Sequence, residues 1–225
     1  LHQIEDINND GLADLLVRFS QTSGVLDRQN NYEIYLGQQN EQGLYFAEKP
    51  NSLLAAGGTT VAVKIVDLDG DKKSEIMLSS LDIGVSQIIG ALLSGSIDQD
   101  VDIYKMDQEG NYSEDPSVNK EVDLTFSLSS GKSGEPVVKL ADFDGDGLKD
   151  LLFSSGESKL KIYQGTSKSR LFKKRSQKHK VLLPKNGNFV ETLDLNLDGK
   201  QDIIIRYGRQ DDSELTNQLV FLFAR

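Results

Sequence analysis

An all-β fold of β-propeller blades, each of about four antiparallel strands, is predicted by three features of the 225-residue sequence. An acidic nine-residue segment recurs four times, short β-rich runs flank each copy, and the copies are spaced by about one blade. The segments are Asp6-Ile-Asn8-Asn-Asp10-Gly-Leu12-Ala-Asp14 and Asp67-Leu-Asp69-Gly-Asp71-Lys-Lys73-Ser-Glu75. The other two are Asp142-Phe-Asp144-Gly-Asp146-Gly-Leu148-Lys-Asp150 and Asp194-Leu-Asn196-Leu-Asp198-Gly-Lys200-Gln-Asp202. Their starting points lie 61, 75 and 52 residues apart.

The flanks supply the strands. β-branched content and alternation predict a strand before each loop, at Leu1–Ile4, Val61–Val66, Val137–Ala141 and Phe189–Leu193. A second follows each loop, at Leu15–Phe19, Ile76–Leu78, Leu151–Phe153 and Ile203–Tyr207. A third is predicted at Tyr32–Leu36, Val101–Tyr104, Leu160–Tyr163 and Leu219–Phe223. Weaker fourth strands fall at Leu44–Ala47, Val122–Phe126 and within Leu171–Leu183. The blades are then 1–58, 59–135 with an insertion at 81–100, 136–187 and 188–225, the last lacking a fourth strand. Because the chain opens inside the first strand of its own first blade, it reads as the C-terminal portion of a larger propeller.

Composition narrows the function classes. With 37% hydrophobic residues the chain can bury a sizeable core. It has no cysteine, so disulfides and thiolate metal sites are excluded. There is no apolar run of the length that spans a bilayer, and no signal peptide. A net charge of −10 argues against nucleic acid as a partner. Yet fourteen of the 35 acids sit in the four loops, leaving 21 acids against 25 bases elsewhere. The acidity is local, as if arranged around cations.

Oxygen donors at positions 1, 3 and 5 of a tightly curled loop suit Ca²⁺, a hard ion that takes six to eight oxygen ligands. Those positions hold Asp6, Asn8 and Asp10; Asp67, Asp69 and Asp71; Asp142, Asp144 and Asp146; and Asp194, Asn196 and Asp198. Position 7 would add a backbone carbonyl, from Leu12, Lys73, Leu148 and Lys200. The acid at position 9, namely Asp14, Glu75, Asp150 and Asp202, is expected to close the shell. Glycine at position 6 permits the sharp turn in three loops; loop two has Lys72 there and is expected to be looser. Asx turns alone would also favour Asp, Asn and Gly, but not four loops that keep the same four positions acidic or amide. Up to four Ca²⁺ ions are expected, with a structural role.

The D-x-D/N-x-D-G-x-x-D loop between two strands, repeated at about 60 residues, resembles the FG-GAP and VCBS repeats. The resemblance covers essentially the whole chain and implies an integrin α-like propeller of about seven blades, with calcium between the first two strands of a blade. It further implies an extracellular, cell-surface or periplasmic setting and a role in adhesion or ligand binding. The phrase FG-GAP itself is absent from the sequence, so the match is closer to the bacterial VCBS type. The 75-residue spacing after loop two departs from the pattern and marks the insertion.

Two further segments stand out. Ile83–Ile97 is charge-free, with Val85, Ile88, Ile89, Leu92 and Leu93 on one helical face; it reads as a helical loop packed on the propeller, or as a docking surface. Lys168–Lys185 holds Lys168, Arg170, Lys173, Lys174, Arg175, Lys178, His179, Lys180 and Lys185. It reads as a lysine-guarded edge strand, or as an electrostatic site for an acidic polysaccharide or a lipopolysaccharide surface. No nucleophile elbow, zinc-protease, P-loop or dinucleotide motif is present, and the two histidines, His2 and His179, have no ligand-spaced neighbour. The sequence thus predicts a non-catalytic scaffold for a protein or glycan ligand at the cell surface, able to self-associate or to join further blades. A lectin-like propeller and part of a polysaccharide lyase or hydrolase are the alternatives.

Overall fold

Alternating burial builds the sheets. The computed structural model describes residues 2–22, 28–81, 89–90, 94–127 and 132–225. The first sheet runs β1 (Gln3–Glu5), β2 (Asp14–Thr22), β3 (Arg28–Tyr35) and β6 (Ser52–Ala56), all antiparallel; β4 (Gln38–Asn40) and β5 (Gly43–Tyr45) form a separate small hairpin. The second sheet orders β7 (Thr59–Val66), β8 (Glu75–Leu81), β9 (Ser96–Tyr104), β10 (Val118–Ser127) and β11 (Lys132–Ser133). The third orders β12 (Val138–Ala141), β13 (Asp150–Ser154), β14 (Lys159–Tyr163) and β15 (Gln177–Lys180). The fourth has β16 (Val190–Leu193), β17 (Asp202–Arg206) and β18 (Leu219–Leu222), entered through a single 3₁₀ turn at Gly187–Phe189. Strands paired in chain order, meander-fashion, are what a propeller blade requires. The all-β, blade-type prediction is therefore met.

One fourth strand is not where the sequence suggested. Leu44–Ala47 is not part of the first sheet: Leu44 and Tyr45 are exposed in the small hairpin. Ser52–Ala56 takes the place instead, with Ser52, Leu54 and Ala56 buried and the residues between them exposed. Its alanines and serine have weak strand propensity, but alternation decides the outcome. The predicted helical insertion falls largely on 82–88 and 91–93, outside the described residues. Its C-terminal end needs correction, because Ser96 and Ile97 already belong to β9. From Ile97 onward, Gln99, Val101 and Ile103 alternate with Asp98, Asp100 and Asp102, a period of two rather than 3.6.

The described residues form two compact units. The first holds β1 to β8, most of β9 and the start of β10. The second holds the rest of β10 and β11 to β18, together with Leu68–Gly70 and the start of β9. In the first, Leu16, Ile34 and Leu54 pack with Ile76, Leu78 and Tyr104 in one core. In the second, Leu152, Leu160 and Ile162 pack with Val190, Ile203 and Ile205. Among the described residues no helix is long and apolar enough to cross a membrane.

Leu160 is fully buried at the centre of the second core, so Leu160→Ala is expected to cost about 2–5 kcal/mol. Leu182→Ala, at a side chain 45% exposed, is expected to stay within about 0.5 kcal/mol. Urea unfolding of the two variants at unchanged m value checks the contrast.

Candidate metal centre

Every acidic loop is the connection between the first two strands of its sheet, and the register is the same in all four. The residue before the loop pairs with position 9: Glu5 with Asp14, Val66 with Glu75, Ala141 with Asp150, Leu193 with Asp202. Eight residues must therefore reverse the chain between two paired strands. Two left-handed positions achieve this. Position 6 has φ of +87° at Gly11, +70° at Lys72, +86° at Gly147 and +86° at Gly199. Position 4 is left-handed too, at Asn9 (+58°), Gly70 (+77°), Gly145 (+78°) and Leu197 (+60°). This second requirement was readable as Asn or Gly at position 4 in three loops; Leu197 hides it in the fourth.

The side chains at positions 1, 3 and 5 turn inward on the loop. In loop one, Asp6 accepts from the N–H groups of Asp10 (3.1 Å) and Gly11 (2.9 Å), and Asp10 accepts from Leu12 (2.8 Å). In loop three, Asp142 accepts from Gly145 (2.6 Å) and Gly147 (2.8 Å), and Asp146 from Leu148 (2.9 Å). Loops two and four repeat the pattern, with Asp67 accepting from Lys72, Asp71 from Lys73, Asp194 from Gly199 and Asp198 from Lys200. The position-7 residues are thus seated by their own amides against the position-5 acid.

The consequence is a gathering of like charge. One carboxylate oxygen from each of Asp67, Asp69 and Asp71 lies within 4.8 Å of the others, and Asp142, Asp144 and Asp146 do the same. Repulsion at that distance ranges from about 1 kcal/mol per pair in water to about 3.5 kcal/mol at an effective dielectric near 20. The Oδ1 of Asp144 is buried with no hydrogen-bond partner, while its Oδ2 accepts from Gln164 Nε2 at 2.6 Å. Three convergent oxygens, with a buried and unsatisfied carboxylate oxygen on one of the same residues, fit a hard divalent cation. Loops one and four have an amide in place of the middle acid, and they close differently: Asn8 Nδ2 donates to Asp10 (2.9 Å) and Asn196 Nδ2 to Asp198 (3.0 Å).

Position 9 has a distinct setting. Asp14, Glu75, Asp150 and Asp202 are the most buried acids among the described residues, at 0–1% exposure. Asp14 accepts from Ile7 N at 2.7 Å through one oxygen and from Gly37 N at 2.8 Å through the other. Asp150 repeats this with Phe143 (2.9 Å) and Gly165 (2.7 Å), and Asp202 with Leu195 (3.0 Å) and Ala224 (2.8 Å). Each carboxylate therefore ties position 2 of its loop to the second residue beyond the third strand. Burial raises the pKa of Asp14 and Asp150, while these amide hydrogen bonds pull the other way. A Cβ on Gly37 would stand 2.4 Å from the carbonyl of Ala13, and one on Gly165 would stand 2.6 Å from that of Lys149. Tyr35-Leu36-Gly37 and Tyr163-Gln164-Gly165 are the sequence signal that could have located this partner. Position 2 itself is apolar in every loop, and Ile7, Leu68 and Phe143 are buried.

Successive loops are also joined. The N–H at position 8 donates to the carbonyl at position 1 or 2 of the loop before it. Ser74 donates to Ile7 (2.9 Å) in the first unit, and in the second Lys149 donates to Leu68 (3.3 Å) and Gln201 to Asp142 (2.7 Å).

Asp14→Ala leaves two buried N–H donors without acceptors and is expected to cost about 2–5 kcal/mol, equally with EGTA and with Ca²⁺. Asp146→Ala is expected to lower the melting temperature only when Ca²⁺ is present. Thermal melts of both variants in the two buffers check the pair. Lys72→Gly and Leu197→Gly relieve a left-handed side chain, Leu197 being 88% exposed, and each is expected to gain about 0.5–1 kcal/mol.

No curated protein sequence gives a significant match. Among solved structures, the crystal structure of the exotype rhamnogalacturonan lyase YesX is similar, with 18% identity and a TM-score of 0.45. The similarity covers 89% of this chain but 37% of that one, so the chain spans well under half the length of that enzyme. The FG-GAP-like repeat profile matches residues 6–78 and 142–205, more than half of the sequence and containing all four loops. The chain belongs to the FG-GAP-like repeat family.

Proposed function

We propose that the chain is a calcium-stabilised, extracytoplasmic β-propeller scaffold that holds surfaces for binding a protein or glycan and does no chemistry itself. The observation that carries this reading is the convergence of three carboxylates within 4.8 Å in loops two and three. In both, the loop backbone has already spent its own N–H groups on the acids, and an added cation would relieve the repulsion that remains. Asp67, Asp69 and Asp71, and Asp142, Asp144 and Asp146, would hold it. Its role would be that of a fastener, because each loop is hydrogen-bonded to a neighbouring loop and stands at the root of a central strand.

A lectin-like role has one observation in its favour. A cavity of about 590 Å³ in the second unit is lined by Gln164, Gln177, His179, Phe221, Phe223 and Arg225. Aromatic faces beside amide groups suit a sugar, whose rings present apolar patches between hydroxyls.

Extracellular calcium modules bind with dissociation constants of about 10⁻⁴–10⁻³ M. At about 1 mM Ca²⁺ each site would then add about 0.4–1.4 kcal/mol. Differential scanning calorimetry in 1 mM Ca²⁺ against EGTA is expected to show a higher melting temperature with the ion. An unchanged melt, together with no heat on calcium titration, would falsify the reading.

A further inference from the structure

The basic stretch noted in the sequence resolves into separate parts. Lys185 forms an ion pair with Glu157, and Lys173 donates to Gln164 at 2.8 Å. Lys178 and Lys180 lie on β15, the edge of the third sheet, and both are exposed. Their cross-strand partners on β14 are also lysines: Lys161 faces Lys178, and Lys159 faces Lys180. The residue pair between them, Leu160 opposite His179, sends Leu160 into the second core. Side chains alternate along a strand, so the four lysines share the face opposite that core. Tyr163 is on the same face, next after Lys161 along β14.

Guarding an edge explains lysines on β15. It does not explain lysines on β14, which is paired on both sides and has no edge to guard. Directly opposed like charges destabilise a sheet, and here two such pairs stand in register. None of the four makes an ion pair among the described residues, and Glu157, in the turn leading into β14, is already held by Lys185. Cations kept together at a cost to the sheet are placed for an anionic partner. Opposed side chains lie about 4.5–5.5 Å apart across the strands and successive ones about 6.6–6.8 Å apart along them. The patch is thus about two strands wide and takes a single thin chain of regularly spaced charges.

We propose that the Lys159, Lys161, Lys178 and Lys180 face binds a linear acidic polysaccharide carrying sulfate or uronate groups. The choice of an extracellular polymer rests on the extracytoplasmic reading above; the lysine geometry does not.

The test is fluorescence anisotropy with a labelled heparin octasaccharide, in Ca²⁺, and with a single-stranded oligothymidylate of equal charge. The octasaccharide is expected to bind at about 50 mM salt, with affinity falling against salt at a log–log slope near −3, about 0.7 per lysine. Lys159→Gln/Lys161→Gln is expected to weaken binding at least about ten-fold while the melting temperature holds or rises, since repulsion is relieved. Lys178→Gln/Lys180→Gln should lose as much, and Lys168→Gln/Arg170→Gln should lose little. Absence of binding, unchanged affinity in the β14 variant, or equal affinity for the oligothymidylate would overturn the proposal. The calcium melt is read without any polyanion, so its failure and this one remain distinguishable.

Discussion

The buried carboxylate at position 9 is the constraint around which each blade is arranged. A charge at 0–1% exposure is costly unless hydrogen-bonded. In Asp14, Asp150 and Asp202 both oxygens are engaged by backbone N–H groups, from the start of the loop and from just past the third strand. Neither group lies within a strand, so without the acid both would be buried donors in want of acceptors. One side chain thus satisfies two backbone groups on separate segments and fixes where the loop must begin. Glycine at 37 and 165 follows from the same requirement, since the approach that makes the hydrogen bond leaves no room for a Cβ.

Once position 9 is fixed, the rest of the loop has little freedom. Position 2 is drawn inward, which is why it is apolar, and positions 1, 3 and 5 are left to converge. The reversal then needs a left-handed residue at positions 4 and 6. A calcium ion would therefore enter a turn already shaped by backbone hydrogen bonds, rather than shape it. That separates two kinds of acid in one motif: those that organise the chain, and those that would organise oxygen around a cation.

The acidic loops and the strands beside them were legible in the sequence, because repetition makes a weak local signal strong. What was not legible has physical reasons. Ser52–Ala56 has poor strand propensity and is less apolar than Leu44–Ala47, yet only the former alternates cleanly between core and solvent. The end of the insertion is obscured because the charge-free run extends to Ile97, where the alternation of the next strand begins. The role of Gly37 and Gly165 depends on a contact 23 and 15 residues from its acid, a separation no local pattern reveals. The like-charge pairs on β14 and β15 needed the register, which a sequence does not give.

Loop two shows how the two kinds of acid can be set against each other. It has four carboxylates, the most that any loop holds, so on charge alone it should bind a cation as well as loop three. Its surroundings differ. Lys105 Nζ stands 3.8 Å from Asp71, and the Lys73 ammonium is occupied by the carbonyls of Asp107 and Gln108, at 2.8 and 3.2 Å. Burial lowers the pKa of Lys105, partly opposed by Asp67; its ammonium beside Asp71 offsets part of the cluster. Lys72 adds left-handed strain at position 6. Loop three has neither burden, with glycine at both left-handed positions. Equal carboxylate counts therefore do not mean equal sites: loop three has more to gain from a divalent cation than loop two, whose lysine has taken part of that role.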